Sequence, residues 1–220
     1  MIELVKIEKV CLHEAHETLR LEDTCRAIRE DGVLLHPPLA VRMKDDRYMI
    51  IDGAHRTCAL QRLGCRRIPL HVVDEQCFTL NSWGHVVQKG AWFDQLLQDS
   101  NLLWQAERPQ DLMLAEVTDA QGETLYAAPK QEGQHLKAWH RIVAAYSHEQ
   151  AVKRVADDAG LHLEPDQVLF KYPSCTLGYL EAVVQAGQVV PAGVTRFDVQ
   201  NRILNVRLPL SILMDECHAV

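Results

Sequence analysis

Ile50-Ile51-Asp52-Gly53-Ala54-His55-Arg56 is the stretch on which the fold turns, because an apolar run stops there at an acidic residue and a glycine and a helical pattern begins at once. Backbone N–H groups at the start of a helix attract anions, and a glycine lets a phosphate approach the chain closely. His55 and Arg56 add two donors to the same turn. The plainer alternative is a capped turn with Asp52 as the N-cap and Arg56 solvated. Working outward, Leu39–Met43 and Tyr48–Ile51 read as two strands joined by the polar turn Lys44–Arg47, a hairpin that leads into this motif. After it, Ala54–Leu63 reads as a helix closed by Gly64, and Arg67–Val73 as a further strand.

Upstream, Glu3–Ile7 alternates like a half-buried strand, and Thr18–Glu30 carries Leu19, Leu21, Cys25 and Ile28 at helical spacing. Between them lies Leu12-His13-Glu14-Ala15-His16-Glu17. Two histidines and two carboxylates raise the question of a metal, but the H-E-x-H spacing differs from the H-E-x-x-H pattern that puts both histidines on one helix face. A carboxylate in this loop suits a general base for a small alcohol, and periodicity does not choose between Glu14 and Glu17. A polar loop ahead of a helix is the structural alternative.

The downstream half is mixed. Trp83, Trp92, Phe93 and Trp104 gather in a connector that reads as packing between lobes, with a domain boundary near Cys77: residues 1–76 and 77–220. Leu112–Val117 and Thr124–Ala128 flank Gln121-Gly122 as a second hairpin. Gln134–Ala159 reads as one or two helices with Ser147 as a cap between them, Asp166–Lys171 as a strand, and Ser174–Gln185 as a helix. Val194–Phe197 and Ile203–Val206 read as late strands. In Pro191-Ala-Gly-Val-Thr195-Arg196-Phe197, a guanidinium beside a hydroxyl suits a carboxylate or phosphate, with a strand-edge arginine as the alternative.

Composition narrows the classes. The chain has 220 residues and a net charge of −7, which argues against broad nucleic-acid or membrane-surface binding. No apolar run is long enough to span a bilayer and no leader pattern opens the chain, so a cytoplasmic protein without membrane partners is expected. The seven cysteines are scattered without a C-x-x-C pair and read as reduced, mostly core residues.

The order of elements and the run from Asp52 through Arg56 to Leu63-Gly64 resemble the ParB/sulfiredoxin-like superfamily over about the first 75 residues. That resemblance implies an α+β (mixed α/β) fold: a ParB/sulfiredoxin-like nucleotide-binding domain, a smaller second α/β lobe for the substrate, and an active site in the cleft between them. Sulfiredoxins need a cysteine where this chain has Ala54, and partition proteins continue into a basic helix-turn-helix region that this acidic chain lacks. Nucleic acid is therefore not the expected partner.

Free L-serine kinases of the staphyloferrin B siderophore type are similar over more of the chain. The shared features are Leu12-His13-Glu14, Leu19–Glu22, Met49–Gly53, Leu63–Cys65, Trp83 with His85, Lys171-Tyr172-Pro173 and Pro191–Phe197. This resemblance implies phosphoryl transfer from ATP or ADP to the hydroxyl of L-serine, with Mg2+, giving O-phospho-L-serine for 2,3-diaminopropionate and siderophore synthesis. It selects Glu14 as catalytic base, with Asp52 and His55 also catalytic. Gly53, Ala54, His55, Arg56 and Thr57 would hold nucleotide or phosphate, and Trp83, His85, Thr195 and Arg196 the serine. Asp52 would orient the turn or help hold Mg2+. Archaeal relatives that use ADP carry a lysine where this chain has Gly193. The alternative function is a nucleotide-binding or DNA-binding regulator of the ParB type without catalysis, and a homodimer is compatible with these features.

Overall fold

The computed structural model describes residues 1–16, 18–110, 112–156 and 160–214, with no side-chain description for Thr18 and Leu19. Contacts divide the chain into two compact units. Residues 1–79, 177–189 and 197–220 form the first, and 80–176 with 190–196 form the second. The first crossing lies close to the boundary expected at Cys77, but the chain then returns twice to the first unit, which a single cut does not capture.

In the first unit the chain runs through β1 (Ile2–Lys6), β2 (Val10–Leu12), α1 (Thr18–Asp31), β3 (Val33–Leu34), β4 (Leu39–Arg42), β5 (Tyr48–Asp52), α2 (Ala54–Arg62) and β6 (Arg67–Val72). Five of these strands make a sheet in the order β1-β6-β4-β5-β2. The hairpin β4–β5 is antiparallel as its polar turn requires, with a register shift at Leu39/Ala40. β2 pairs parallel to β5, setting Val10, Cys11 and Leu12 opposite Tyr48, Met49 and Ile50. This short strand falls within the stretch read from sequence as loop. Tyr48–Ile51 are all buried, consistent with an interior strand that shows no alternation. Leu21, Cys25 and Ile28 of α1 meet Cys58, Ala59 and Leu60 of α2 in one apolar core, closed by Leu210 and Leu213.

The second unit begins within β7 (Phe78–Ser82) and continues through β8 (Gly84–Gln88), α3 (Ala91–Leu97), β9 (Leu102–Gln105), β10 (Ala115–Asp119), β11 (Thr124–Pro129), α4 (His135–Ser147), β12 (Lys153–Val155) and β13 (Gln167–Lys171). Its sheet is six-stranded, in the order β12-β8-β13-β10-β11-β9. The hairpin at Gln121-Gly122 forms as expected, antiparallel β10–β11. One expectation is corrected here. The aromatic stretch is no connector: half-buried Trp92 lies against Tyr146 and Phe170, and half-buried Phe93 against Phe170, so these two rings cover buried core residues of the second unit itself. Of the one or two helices expected in Gln134–Ala159 one forms, α4, which ends at Ser147; the chain beyond it turns to β12, while residues 157–159 lie outside the described set.

The chain closes with α5 (Leu177–Gln185), β14 (Thr195–Val199), β15 (Leu208–Pro209) and α6 (Leu210–Met214). β14 pairs with β7, and β15 with β3. The strand expected at Ile203–Val206 does not form. Asn201, Asn205 and Arg207 take left-handed backbone angles (φ 55°, 58° and 55°), which a strand excludes. The segment instead binds the first unit as a strap: the Gln200 N–H donates to the Cys77 carbonyl and the Val206 N–H to the Leu35 carbonyl. The Ile203 and Asn205 N–H groups donate to Nδ1 of His71 and His36. Cys11, Cys25, Cys58, Cys65, Cys77 and Cys175 are free thiols, and Cys25, Cys58 and Cys65 are buried as expected, while Cys77 is exposed and Cys217 lies outside the described residues. No described helix is long and apolar enough to cross a membrane.

Candidate active site

In the first unit β5 delivers Asp52 to a turn at Gly53, whose φ of +97° is open to glycine and strained for other residues. A Cβ there would also sit 3.1 Å from the Pro38 Cα and 2.9 Å from Nη2 of Arg56. The ladder of α2 starts with the Thr57 N–H donating to the Gly53 carbonyl at 2.9 Å. The amides of Ala54, His55 and Arg56 precede that first helical bond, the arrangement that draws anions to helix starts. Thr57 differs from expectation: its buried hydroxyl donates to the Gly53 carbonyl at 3.1 Å, so it braces the turn from within.

Arg56 is neither solvated nor beside a capping aspartate. The N-cap is Gly53, with no side-chain cap. The guanidinium donates to the His36 carbonyl at 2.7 Å and to Asp52 Oδ2 at 2.9 Å. Burial is the main influence on its pKa and pulls it below the ordinary arginine value; Asp52 opposes that pull and Arg202 adds to it. Asp52 Oδ2 also accepts from Arg202, a residue the sequence reading did not single out. An aspartate already holding two guanidinium groups is a poor Mg2+ ligand, and no cluster of three His, Cys, Asp or Glu exists among the described residues. Of the two roles expected for Asp52, the arrangement fits the one that orients the turn.

Glu14 follows β2, and because β2 and β5 run parallel, it leaves the sheet at the same edge as Asp52. Its neighbours fasten it there. His13 is buried and its Nδ1–H donates to the Ile50 carbonyl at 2.5 Å. The His16 ring meets the His55 ring edge-on at 6.2 Å, and His16 Nδ1 lies 3.8 Å from Cys58 Sγ. Half-buried Glu14 is thus flanked by one tie to β5 and two to α2. Carboxyl ends of parallel strands are where open α/β sheets bind ligands. Glu17 lies outside the described residues.

The second unit holds Trp83, His85, Thr195 and Arg196. Trp83 is fixed by its N–H to the Val194 carbonyl at 2.9 Å, and the Arg196 guanidinium lies 5.4 Å from the Trp83 ring centre. Trp83 lines a cavity of about 190 Å³ with Ser82, Gly84, Leu169, Lys171 and Tyr172. Thr195 is 8% exposed. His85 has a different place from the one expected of a ligand contact. It is 1% exposed, with Nε2 2.7 Å from the Gly193 carbonyl and Nδ1 2.6 Å from the Tyr146 hydroxyl. A carbonyl only accepts, so Nε2 carries the hydrogen and Nδ1 accepts from Tyr146, whose oxygen in turn accepts from Tyr172. Burial pushes the His85 pKa down to about 4. His85 therefore positions the Gly193–Arg196 loop from beneath.

Residues 3–81 match the ParB N-terminal domain family. Over 217 residues the chain is 38% identical to the ATP-dependent L-serine kinase SbnI of Staphylococcus aureus (strain NCTC 8325 / PS 47), covering 98% of this chain and 85% of that one. The chain belongs to the SbnI family of L-serine kinases. A solved structure of C-terminally truncated SbnI from Staphylococcus aureus superposes with a TM-score of 0.89 at 36% identity, covering 98% of this chain and 90% of that one. A free serine kinase variant solved in complex with ADP shares the fold, with a TM-score of 0.80 at 18% identity over 96% of this chain and 93% of that one. This SbnI-family chain thus has a mixed α/β fold found in solved kinases.

Proposed function

We propose that this chain transfers a phosphoryl group from ATP to the hydroxyl of free L-serine, giving O-phospho-L-serine. The observation that carries the reading is the fastening of Glu14 at the strand edge where α2 begins, in a chain related to an L-serine kinase over nearly its whole length.

Phosphoryl transfer asks for alignment, neutralised charge and a base for the attacking hydroxyl, with little covalent work by the protein. Glu14 accepts the serine proton as the hydroxyl oxygen bonds to the γ-phosphorus and the bond to the β-bridging oxygen breaks, releasing ADP. The α2 amides, His55 and Arg56 take the charge that develops on the transferred group. Asp52 orients Arg56, and Gly53 leaves room for the phosphate. Mg2+, where present, would screen the phosphates and arrive with the nucleotide, held mainly by phosphate oxygens. Trp83, Thr195 and Arg196 recognise the serine, Arg196 through its carboxylate. A phosphate on the serine β-carbon is a leaving group, which suits the product to replacement by an amine and so to 2,3-diaminopropionate.

The test is phosphorus NMR of purified protein with Mg2+, L-serine and either ATP or ADP, beside Glu14→Ala. O-Phosphoserine from ATP is expected, with turnover in the variant lower by about 10²–10⁴-fold and nucleotide binding retained. Folded protein that binds nucleotide but makes no O-phosphoserine from either donor would overturn the kinase reading in favour of a non-catalytic regulator.

A further inference from the structure

Arg202 is absent from every motif in the sequence, yet its guanidinium ends on the same carboxylate oxygen as that of Arg56. Within this trio one carboxylate balances one of the two guanidinium charges, which leaves the three side chains with a net positive charge that an anionic phosphate would satisfy. The two arginines are not equivalent. Arg56 is also gripped by the His36 carbonyl and its side chain is 23% exposed. Arg202 is held by Asp52, is 39% exposed, and borders a cavity of about 440 Å³ together with Gln76, Thr79, Asp198 and Gln200. That volume lies within the range of small-molecule sites.

The backbone on each side of Arg202 is anchored. The Gln200 N–H bonds the Cys77 carbonyl at 3.1 Å before it, and the Ile203 N–H bonds His71 Nδ1 at 3.3 Å after it. Asn201, next to Arg202, sits in the left-handed region at φ 55°. A strap fixed on both sides with a long cation between the fixings aims the cation while leaving its tip free to change partner.

We propose that Arg202 is a phosphate-binding residue of the kinase site: paired with Asp52 in this structure, it moves its fork to the phosphates of the bound donor. The proposal rests on the kinase reading for the identity of the donor, so binding is measured apart from turnover. Calorimetric titration of wild type, Arg202→Ala, Arg202→Lys and Asn205→Ala with Mg-ATP is combined with steady-state kinetics and thermal melting. Arg202→Ala is expected to weaken ATP binding by about 10- to 100-fold and to raise the KM for ATP in parallel, with the KM for serine unchanged. Arg202→Lys recovers part of that loss. Asn205→Ala loosens the strap without removing the guanidinium, so it lowers the melting temperature and leaves ATP affinity within about twofold. Equal ATP affinity for wild type and Arg202→Ala, or equal losses in Arg202→Ala and Asn205→Ala, would show that Arg202 only holds the strap. Wild type that binds ATP yet forms no O-phosphoserine removes the kinase reading while the Arg202 comparison stands; wild type that binds no ATP overturns both.

Discussion

Lowering the pH should loosen the second unit through His85 in particular. The ring is buried, Nδ1 must stay unprotonated to accept from Tyr146, and the nearby Arg154 charge opposes a further positive charge. Its pKa falls from an ordinary 6.5 to about 4. Above about 6.5 the ring is neutral both folded and unfolded, and the full stabilisation is present. Between 6.5 and 4 the unfolded chain takes a proton that the fold refuses, so stability falls as pH falls, by up to about 1.4 kcal/mol per pH unit. Across that window the gap amounts to about 3 kcal/mol, and below it both states are protonated and the loss is complete. Urea unfolding of wild type and His85→Gln at several pH values from 7 to 4 isolates this contribution, because carboxylates titrate in both proteins and cancel. The wild-type advantage should shrink by about 3 kcal/mol over the range. A difference that stays flat from pH 7 to pH 4 would refute the tautomer assignment and the chain of donors from Tyr172 to Gly193.

Two further substitutions probe the turn. Gly53→Ala places a non-glycine residue at φ +97° and a Cβ against the Pro38 backbone, so urea unfolding should show a loss of at least about 1–2 kcal/mol, with weaker ATP binding; an unchanged midpoint would mean the turn relaxes freely. Arg56→Lys keeps the charge but a single ammonium cannot serve both the His36 carbonyl and Asp52, so a loss of about 1.5–3 kcal/mol and slower phosphoserine formation are expected in the same assays.

The first unit was legible where local pattern decides structure. The alternation in Glu3–Ile7, the apolar spacing of Leu21, Cys25 and Ile28, and the polar turn Lys44–Arg47 each act over a few residues, and β1, α1 and the β4–β5 hairpin follow from them. β2 escaped because three residues carry too little periodicity; its existence depends on β5 lying alongside. The strap escaped for the opposite reason. Ile203–Val206 has the apolar residues of a strand, but left-handed Asn201 and Asn205 and two histidine acceptors from distant elements override that preference. Among the site residues, Gly53 and Arg56 announce themselves by type and spacing. The resemblance selected Glu14, and the structure adds the ties of His13 and His16 that hold it in place. His85 could be singled out from sequence but not given its place, since burial beneath the Gly193 carbonyl is a property of the packed sheet. Arg202 had no local signal at all.

The pairing of Asp52 with Arg202 spans 150 residues of chain, and it sets an order of events during synthesis. A ribosome that has released β6 has supplied every strand of the five-stranded sheet and the turn at Gly53, yet α5, the strap and β15 are still to come. The ribosome must make the whole second unit before β3 receives its partner strand and Asp52 its second arginine. Contacts of such long separation form slowly, and until they do the edge of β3 stays open to other chains. The charge balance of the turn is therefore among the last things the protein acquires.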